Sequence, residues 1–598
     1  MSRSSDGYAP IEEYALIGDG RTTALVAADG SIDWLCLPNL DSPSVFGALL
    51  DAERGGSFTL RPTIPFATTR RYLPNTNVLE TTFKTDRGSV RVTDALLLPD
   101  GALARRRELL RSIEGLSGTV PMEWRFTPQF RYGSSTPRRE WRGRCPAATY
   151  DAEAVAVAHW DAGSPAWQDG AAGATFDLRD GSRAALTLAS AYAEPLVLPG
   201  RNACAKRLAS TIAFWEKWTA DRDYQGPWPE LVLRSALALK LLIFAPSGAS
   251  VAAPTTSLPE EIGGERNWDY RFCWIRDSSF AIEALLNLGC YTEAQSMFWW
   301  FIHATALTEP EVHVLYKLDG GLGLRERSLP LSGYRHSRPV RVGNGALAQQ
   351  QHDIYGALFD TAWLYSEGHR SLDWDTGALL ARIADHVCRI WRRPDSGIWE
   401  VRNGPFHFIH SKVMCWLALN RADRLAARGE LPWHRRDRWR KEADAIREYV
   451  ETVGWSDRLQ SYRRIAGEDD VDASLLMLAT DGFVDPRGAR MNGTIDAITR
   501  ALREGDFIYR YRAADGVGGG EGCFLNCSFW LVSALAMAGR LDEATSLMEN
   551  LLARANDVGL YSEEIDPANG AFLGNFPQAL VHLALVQAAC ACGAAQRS

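Results

Sequence analysis

What most constrains this chain is a change of hydrophobic period near residue 220. Before it, apolar and polar residues alternate, which is the pattern of half-buried antiparallel strands. Thr23 to Cys36 reads as two strands around an Asp29-Gly30 turn, and Val78 to Leu98 repeats the device around Asp86-Arg87-Gly88. Met122, Trp124 and Phe126 alternate with Glu123 and Arg125. Many short strands without a long helical pattern predict a β-sandwich. From Trp228 onward the period is helical, with helices predicted to begin near Pro229, Ser278, Thr292, Asp353, Asp375, Phe406, His434, Val471, Pro486, Cys523, Leu541 and Pro577.

The later helices alternate in composition. His434 to Val450 and Leu541 to Leu552 carry an apolar stripe beside a charged face, whereas Cys523 to Met537 and Pro577 to Ala589 are apolar nearly all round. A helix apolar on every side must be surrounded by protein, while a striped one can face water. Alternation therefore predicts an inner ring of helices wrapped by an outer one, an (α/α)6 barrel, with an irregular bundle as the plainer alternative. The fold class expected is multidomain β + α. An N-terminal antiparallel β-sandwich over residues 1–222 precedes an (α/α)6 barrel catalytic domain over 223–598, since a chain this long exceeds one ordinary core.

Charge narrows the partners. A formal net charge of −8 gives no basic footprint for nucleic acid or an anionic membrane. A neutral small molecule is the expected partner, and a homo-oligomer is compatible with it. The start is polar, no long uninterrupted apolar window stands out, and the 11 cysteines are odd in number and scattered. Cytoplasm is the default location. Cys590-x-Cys592 and Cys523-x3-Cys527 have metal-like spacing but no second half, so they read as buried thiols, and no metal or cofactor is predicted.

If helices run alternately up and down, every odd-to-even connection lies at one end of the barrel. The unusual segments all fall there: Glu265 to Asp277, Gln349 to Asp353, Asp395 to Asn403, Gly518 to Gly522 and Tyr561 to Asp566. They mix Trp, Arg, Asp, Glu and Gln, which suits a polyhydroxylated ligand: rings cover its apolar faces and polar groups meet its hydroxyls. Glycosidic cleavage needs two carboxyl groups, one protonated to assist the leaving oxygen and one ionised. Glu400 and Glu563 are placed for that, and the apolar Ile398-Trp399 predicts a raised pKa for Glu400. Plainer readings stand beside this one. Trp399-Glu400 fits packing plus an acidic helix start, Glu563-Glu564-x-Asp566 a solvated loop, and Arg276-Asp277 a structural ion pair.

The same segments resemble glycoside hydrolase family 15, which includes glucoamylases and bacterial trehalases, across nearly the whole chain. The matching stretches include Tyr14-Ala-Leu-Ile-Gly-Asp-Gly, Gly30-Ser-Ile-Asp-Trp-Leu-Cys-Leu-Pro, Arg266-Asn-Trp-Asp-Tyr-Arg, Gly397-Ile-Trp-Glu-Val-Arg, Cys527-Ser-Phe-Trp-Leu-Val and Gly574-Asn-Phe-Pro-Gln-Ala. The resemblance implies a β-sandwich, an (α/α)6 barrel and inversion at the anomeric carbon. By motif it implies Glu400 as general acid and Glu563 as general base, with Trp274, Arg276, Asp277 and Trp399 binding sugar. Gln351, Asp353, Glu521 and Glu564 complete the expected substrate-binding set. Through Glu265 to Arg271, Ser337 to Gly345 and Gln351-His-Asp-Ile the sequence is most similar to the trehalase branch. The resemblance thus implies an exo-acting α-glucoside hydrolase that releases glucose from trehalose, with a short α-glucan or isomaltooligosaccharide second. An inverting phosphorylase and a silent glucan-binding protein rank below.

Overall fold

The computed structural model describes residues 3–99, 106–323, 325–368 and 370–597. Both predicted hairpins form. Thr23–Ala27 pairs antiparallel with Ser31–Cys36, and Leu79–Thr85 with Gly88–Leu96. One long strand, Arg107–Thr127, organises the β-domain. Its first half pairs with Gly88–Leu96 and Arg183–Tyr192, its second with Ser57–Pro62 and Ala171–Arg179. The strand turns from one sheet to the other near Gly118, whose φ of 67° and backbone neighbour, 2.0 Å from where a Cβ would stand, both require glycine. The two antiparallel sheets meet where Arg111, on the first half of the strand, lies over Phe58 of the other sheet at 5.4 Å, beside an aromatic cluster of Phe46, Phe58, Trp124 and Phe126.

The β pattern ends earlier than the sequence predicts. After Tyr192 the chain forms helix α1 (Arg201–Ala220), which buries one side only, through Cys204, Thr211, Trp215 and Trp218. The barrel follows. Its outer helices are α2 (Pro229–Leu242), α4 (Tyr291–Ala306), α6 (Trp374–Ile390), α8 (Arg436–Thr452), α9 (Ala489–Leu502) and α11 (Leu541–Leu552). Between them run the inner helices α3 (Ile275–Asn287), α5 (Asp353–Glu367), α7 (Ile409–Ala427), α10 (Leu525–Met537) and α12 (Ala579–Arg597). The helix predicted near Val471 is a short 3-10 turn, Ala473–Leu478, and it fills the remaining inner position. The inner ring closes: α3 packs on α5, α5 on α7, α7 on the 3-10 turn, that turn on α10, α10 on α12 and α12 on α3.

By length and composition α12 could cross a membrane, contrary to the expectation that no such window occurs, yet 67% of its apolar window is buried as a barrel stave. All 11 cysteines are unpaired, and most are buried. Two contacts fix the mouth of the barrel against the β-domain. Trp34 donates to the Pro254 carbonyl at 2.8 Å, and Arg271 donates to the Ser42 carbonyl at 2.8 Å while its Nε bonds Asp269 at 2.9 Å. Residues flanking Arg271 carry the site.

Candidate active site

The five odd-to-even segments meet at one end of the barrel, as alternation predicts. A two-residue strand, Cys273–Trp274, pairs with Leu315–Tyr316 and runs directly into α3, so Trp274 caps the helix and Arg276 and Asp277 occupy its first turn. Arg276 donates through Nε to Asp277 at 2.7 Å and through Nη1 to the Ile398 carbonyl at 2.9 Å. That second bond ties the pocket floor to the turn carrying Glu400. Glu400 itself has φ of 60°, a left-handed conformation costly for a side chain with a Cβ. Its Oε1 accepts from Trp274 Nε1 at 2.7 Å. Trp399 donates to Asp472 at 2.8 Å, and Asp472 is pushed up to about 6 by burial.

Across the pocket, Glu563 lies one layer behind the wall, 1% exposed. Its Oε1 accepts from the Tyr270 hydroxyl at 2.6 Å and from Gln578 at 3.5 Å, and its Oε2 accepts from the Asn575 backbone at 3.1 Å. Tyr270 and Gln578 both line the pocket. Burial pushes Glu563 up to about 8, and the charge of Glu260 adds to this; the Tyr270 and Asn575 hydrogen bonds pull the other way. Gly574, with φ of 71°, passes so close that a Cβ would stand 2.5 Å from Glu563 Oε2. Tyr270 and Trp274 meet edge to face at 5.4 Å, so a continuous chain of contacts runs from one carboxyl to the other.

Of the sequence-predicted residues, Trp274, Arg276, Asp277, Trp399 and Glu400 line the pocket. Four others stand behind its walls. Gln351, 1% exposed, donates to Gln349 at 3.0 Å, which in turn donates to the Glu400 carbonyl at 3.0 Å. Asp353 is fully buried at the start of α5, and burial pushes it up to about 7, with Arg276 opposing. Glu521 accepts from Arg510 Nε at 2.8 Å, and Glu564 accepts from the Gly522 backbone at 2.7 Å. Glu260, Glu521 and Glu564 have oxygens within 4.8 Å of one another, the spacing of a cation site. Arg510 already bonds Glu260 at 2.7 Å and Glu521, so its guanidinium supplies positive charge there.

Sequence reasoning passed over Tyr270, Gln578 and Trp530, although each lies inside a stretch that carries the family resemblance. Arg402 lines the pocket from the last position of the matching stretch Gly397 to Arg402, whereas Arg510 lines it without any local motif to mark it.

Comparison with known proteins identifies the family. Glycosyl hydrolases family 15 matches residues 226–590, and the trehalase-like N-terminal domain matches residues 4–142. The chain belongs to glycoside hydrolase family 15. It is 38% identical to a trehalase of Mycobacterium tuberculosis (strain ATCC 25618 / H37Rv) over 97% of this chain and 89% of that one. It is 39% identical to a trehalase of Mycolicibacterium smegmatis over 97% and 91%, and 35% identical to one of Thermoplasma volcanium over 98% and 94%. A bacterial glucoamylase solved with acarbose superposes with a TM-score of 0.73 at 13% identity, over 99% of this chain and 95% of that one, which shows a shared fold. This family 15 member is a glycoside hydrolase built as an N-terminal antiparallel β-domain and an (α/α)6 barrel.

Proposed function

We propose that the enzyme is an inverting trehalase that splits α,α-trehalose into two glucose molecules, with Glu400 as general acid and Glu563 as general base. The observation that carries the reading is the pair of carboxyls, one on either side of the aromatic contact between Trp274 and Tyr270, each held by an aimed donor. Glu400 protonates the glycosidic oxygen as its bond to the anomeric carbon breaks. Glu563 takes a proton from a water that attacks that carbon from the opposite face. Trp274, Arg276, Asp277 and Trp399 bind the glucosyl unit being transferred, and Arg510 and Gln578 complete its surroundings. Gln351 and Asp353 support that wall from behind, Glu260 and Glu521 orient Arg510, and Glu564 holds the Gly522 backbone. The same reading divides the chain at residue 222 and assigns it to the cytoplasm, where unpaired thiols persist.

The substrate follows from full-length likeness to trehalases of three organisms. A glucose-release assay with trehalose, maltose, isomaltose and a longer α-glucan tests it. The highest kcat/KM is expected on trehalose. Preference for maltose or isomaltose would replace the substrate while leaving the two carboxyls in their roles.

A further inference from the structure

We propose that Trp268 and Arg402 form the wall that receives the leaving sugar, and that Glu326 and Arg341 hold this wall in place. The inference rests on Glu400 being the general acid. A group that protonates the leaving oxygen stands beside the leaving unit, so that unit lies on the Glu400 side and outward from the floor. Arg402 is two residues beyond Glu400 in the same turn and lines the pocket. Its side chain is 38% exposed, whereas the floor residue Trp274 is 2% exposed.

Arg402 lies over the Trp268 indole at 4.3 Å, and Arg341 lies over the same ring at 4.5 Å. Each component is fixed from behind. Trp268 Nε1 donates to Glu260 at 2.9 Å, and Arg341 Nη1 donates to the carbonyls of Glu265 and Asn267 at 2.7 and 3.1 Å. Glu326 stands 3.4 Å from Arg341 and 3.6 Å from Arg402, and it accepts from the Gly345 backbone at 3.0 Å. The Arg402 backbone N–H donates to the Asp515 carbonyl at 2.7 Å, which anchors the turn.

The Arg402 guanidinium is different. Among the described residues no hydrogen bond occupies its donors, and its charged partner is Glu326 alone at 3.6 Å. A guanidinium offers only donors, in a planar fork, so it selects oxygen acceptors held near that plane. The Trp268 indole on which it lies fixes the plane of that fork by stacking. A donor-only fork held flat at the pocket wall is the chemistry that meets the hydroxyls of a sugar ring. The wall therefore acts on the leaving unit and contributes little where the leaving group has no hydroxyls.

The test compares trehalose with α-D-glucosyl fluoride, whose leaving group is a bare halide, in the full-length enzyme. Arg402→Ala should lower kcat/KM on trehalose by about 10- to 100-fold more than on the fluoride, with KM rising on the disaccharide. Arg402→Lys keeps the charge without the planar fork, and recovers only part of that difference. Thermal melting of both variants close to the parent excludes misfolding. Equal losses on the two substrates would overturn the proposal, since Arg402 would then act only through the Glu400 turn. If the parent enzyme cleaves the fluoride but not trehalose, the trehalase reading fails separately. The same ratio measured with maltose then decides the wall.

Discussion

The two ends of the barrel both hold a cavity with half-buried or buried carboxyls, and they differ in how those carboxyls are met. At the end opposite the site, Glu283, Asp360 and Asp481 share a cavity of about 530 Å3 with Met414, Met477 and Trp530. Burial pushes Glu283 up to about 7 and Asp481 well above its ordinary value, and the neighbouring carboxyls add to both. Arg421 neutralises Asp360 at 2.7 Å and Gln587 donates to Glu283 at 2.5 Å, but Asp481 Oδ2 has no hydrogen-bond partner among the described residues. At the mouth, by contrast, Trp274, Tyr270 and the Asn575 backbone each aim a donor at a carboxylate. Cavity size and raised carboxyls therefore do not single out the catalytic end. Several donors converging on one carboxyl do. Glu563 accepts from Tyr270, Gln578 and the Asn575 backbone, whereas among the described residues Glu283 accepts from Gln587 alone. Such bonds favour charge on the group that must carry it during reaction.

The largest expected effect breaks or supports this contrast directly. Glu400→Gln and Glu563→Gln should each lower kcat by about 10²–10⁴-fold in a glucose-release assay, whereas Glu283→Gln should change it by less than about threefold. A comparable loss from Glu283 would erase the distinction between the ends.

A smaller effect sharpens it. Tyr270→Phe removes a hydrogen bond to an ionised group, so kcat/KM should fall by about 10- to 100-fold. Glu563 must be ionised to act, and kcat/KM rises with pH through its value of about 8. Because the Tyr270 bond holds that value down, losing it should move the acid limb upward. A limb that stays in place or moves down would remove Tyr270 from the electrostatics of Glu563.

The smallest effect is on stability. Glu283 has a folded pKa raised above that of the unfolded chain, so its contribution is present below the ordinary carboxylate range and is lost as pH rises through about 7. In denaturant melts at pH 5 and pH 8, Glu283→Gln should reduce the parent's loss of stability by on the order of 1–3 kcal/mol. An unchanged pH dependence would show that Glu283 is no more perturbed than a surface carboxylate.

Much of this was legible in the chain because hydrophobic period reports burial. The Asp29-Gly30 hairpin, the alternation of striped and apolar helices, and the gathering of odd-to-even segments at one mouth all followed from it. Helix α1 escaped because only one side of it packs, after a long run of strands. The 3-10 turn at Ala473–Leu478 carries the pattern of a full helix because its six residues are as apolar as a stave. Within the site, Trp399 and Glu400 announce themselves as neighbours. Tyr270 does not, since its meaning depends on Glu563, 293 positions away. Gln351, Asp353, Glu521 and Glu564, expected to bind substrate, stand behind the walls because a motif locates a segment and not the direction of its side chains.

The central claim is that Glu563 activates water in a single displacement, and the anomers of the first products test it most directly. Trehalose joins two glucose units through their α-anomeric carbons. Inversion turns the attacked unit into β-glucose while the leaving unit keeps its α configuration. Proton NMR recorded before mutarotation should therefore show α- and β-glucose forming in equal amounts. Release of α-glucose alone would contradict the account, because it requires a second displacement and makes Glu563 a nucleophile or a bystander.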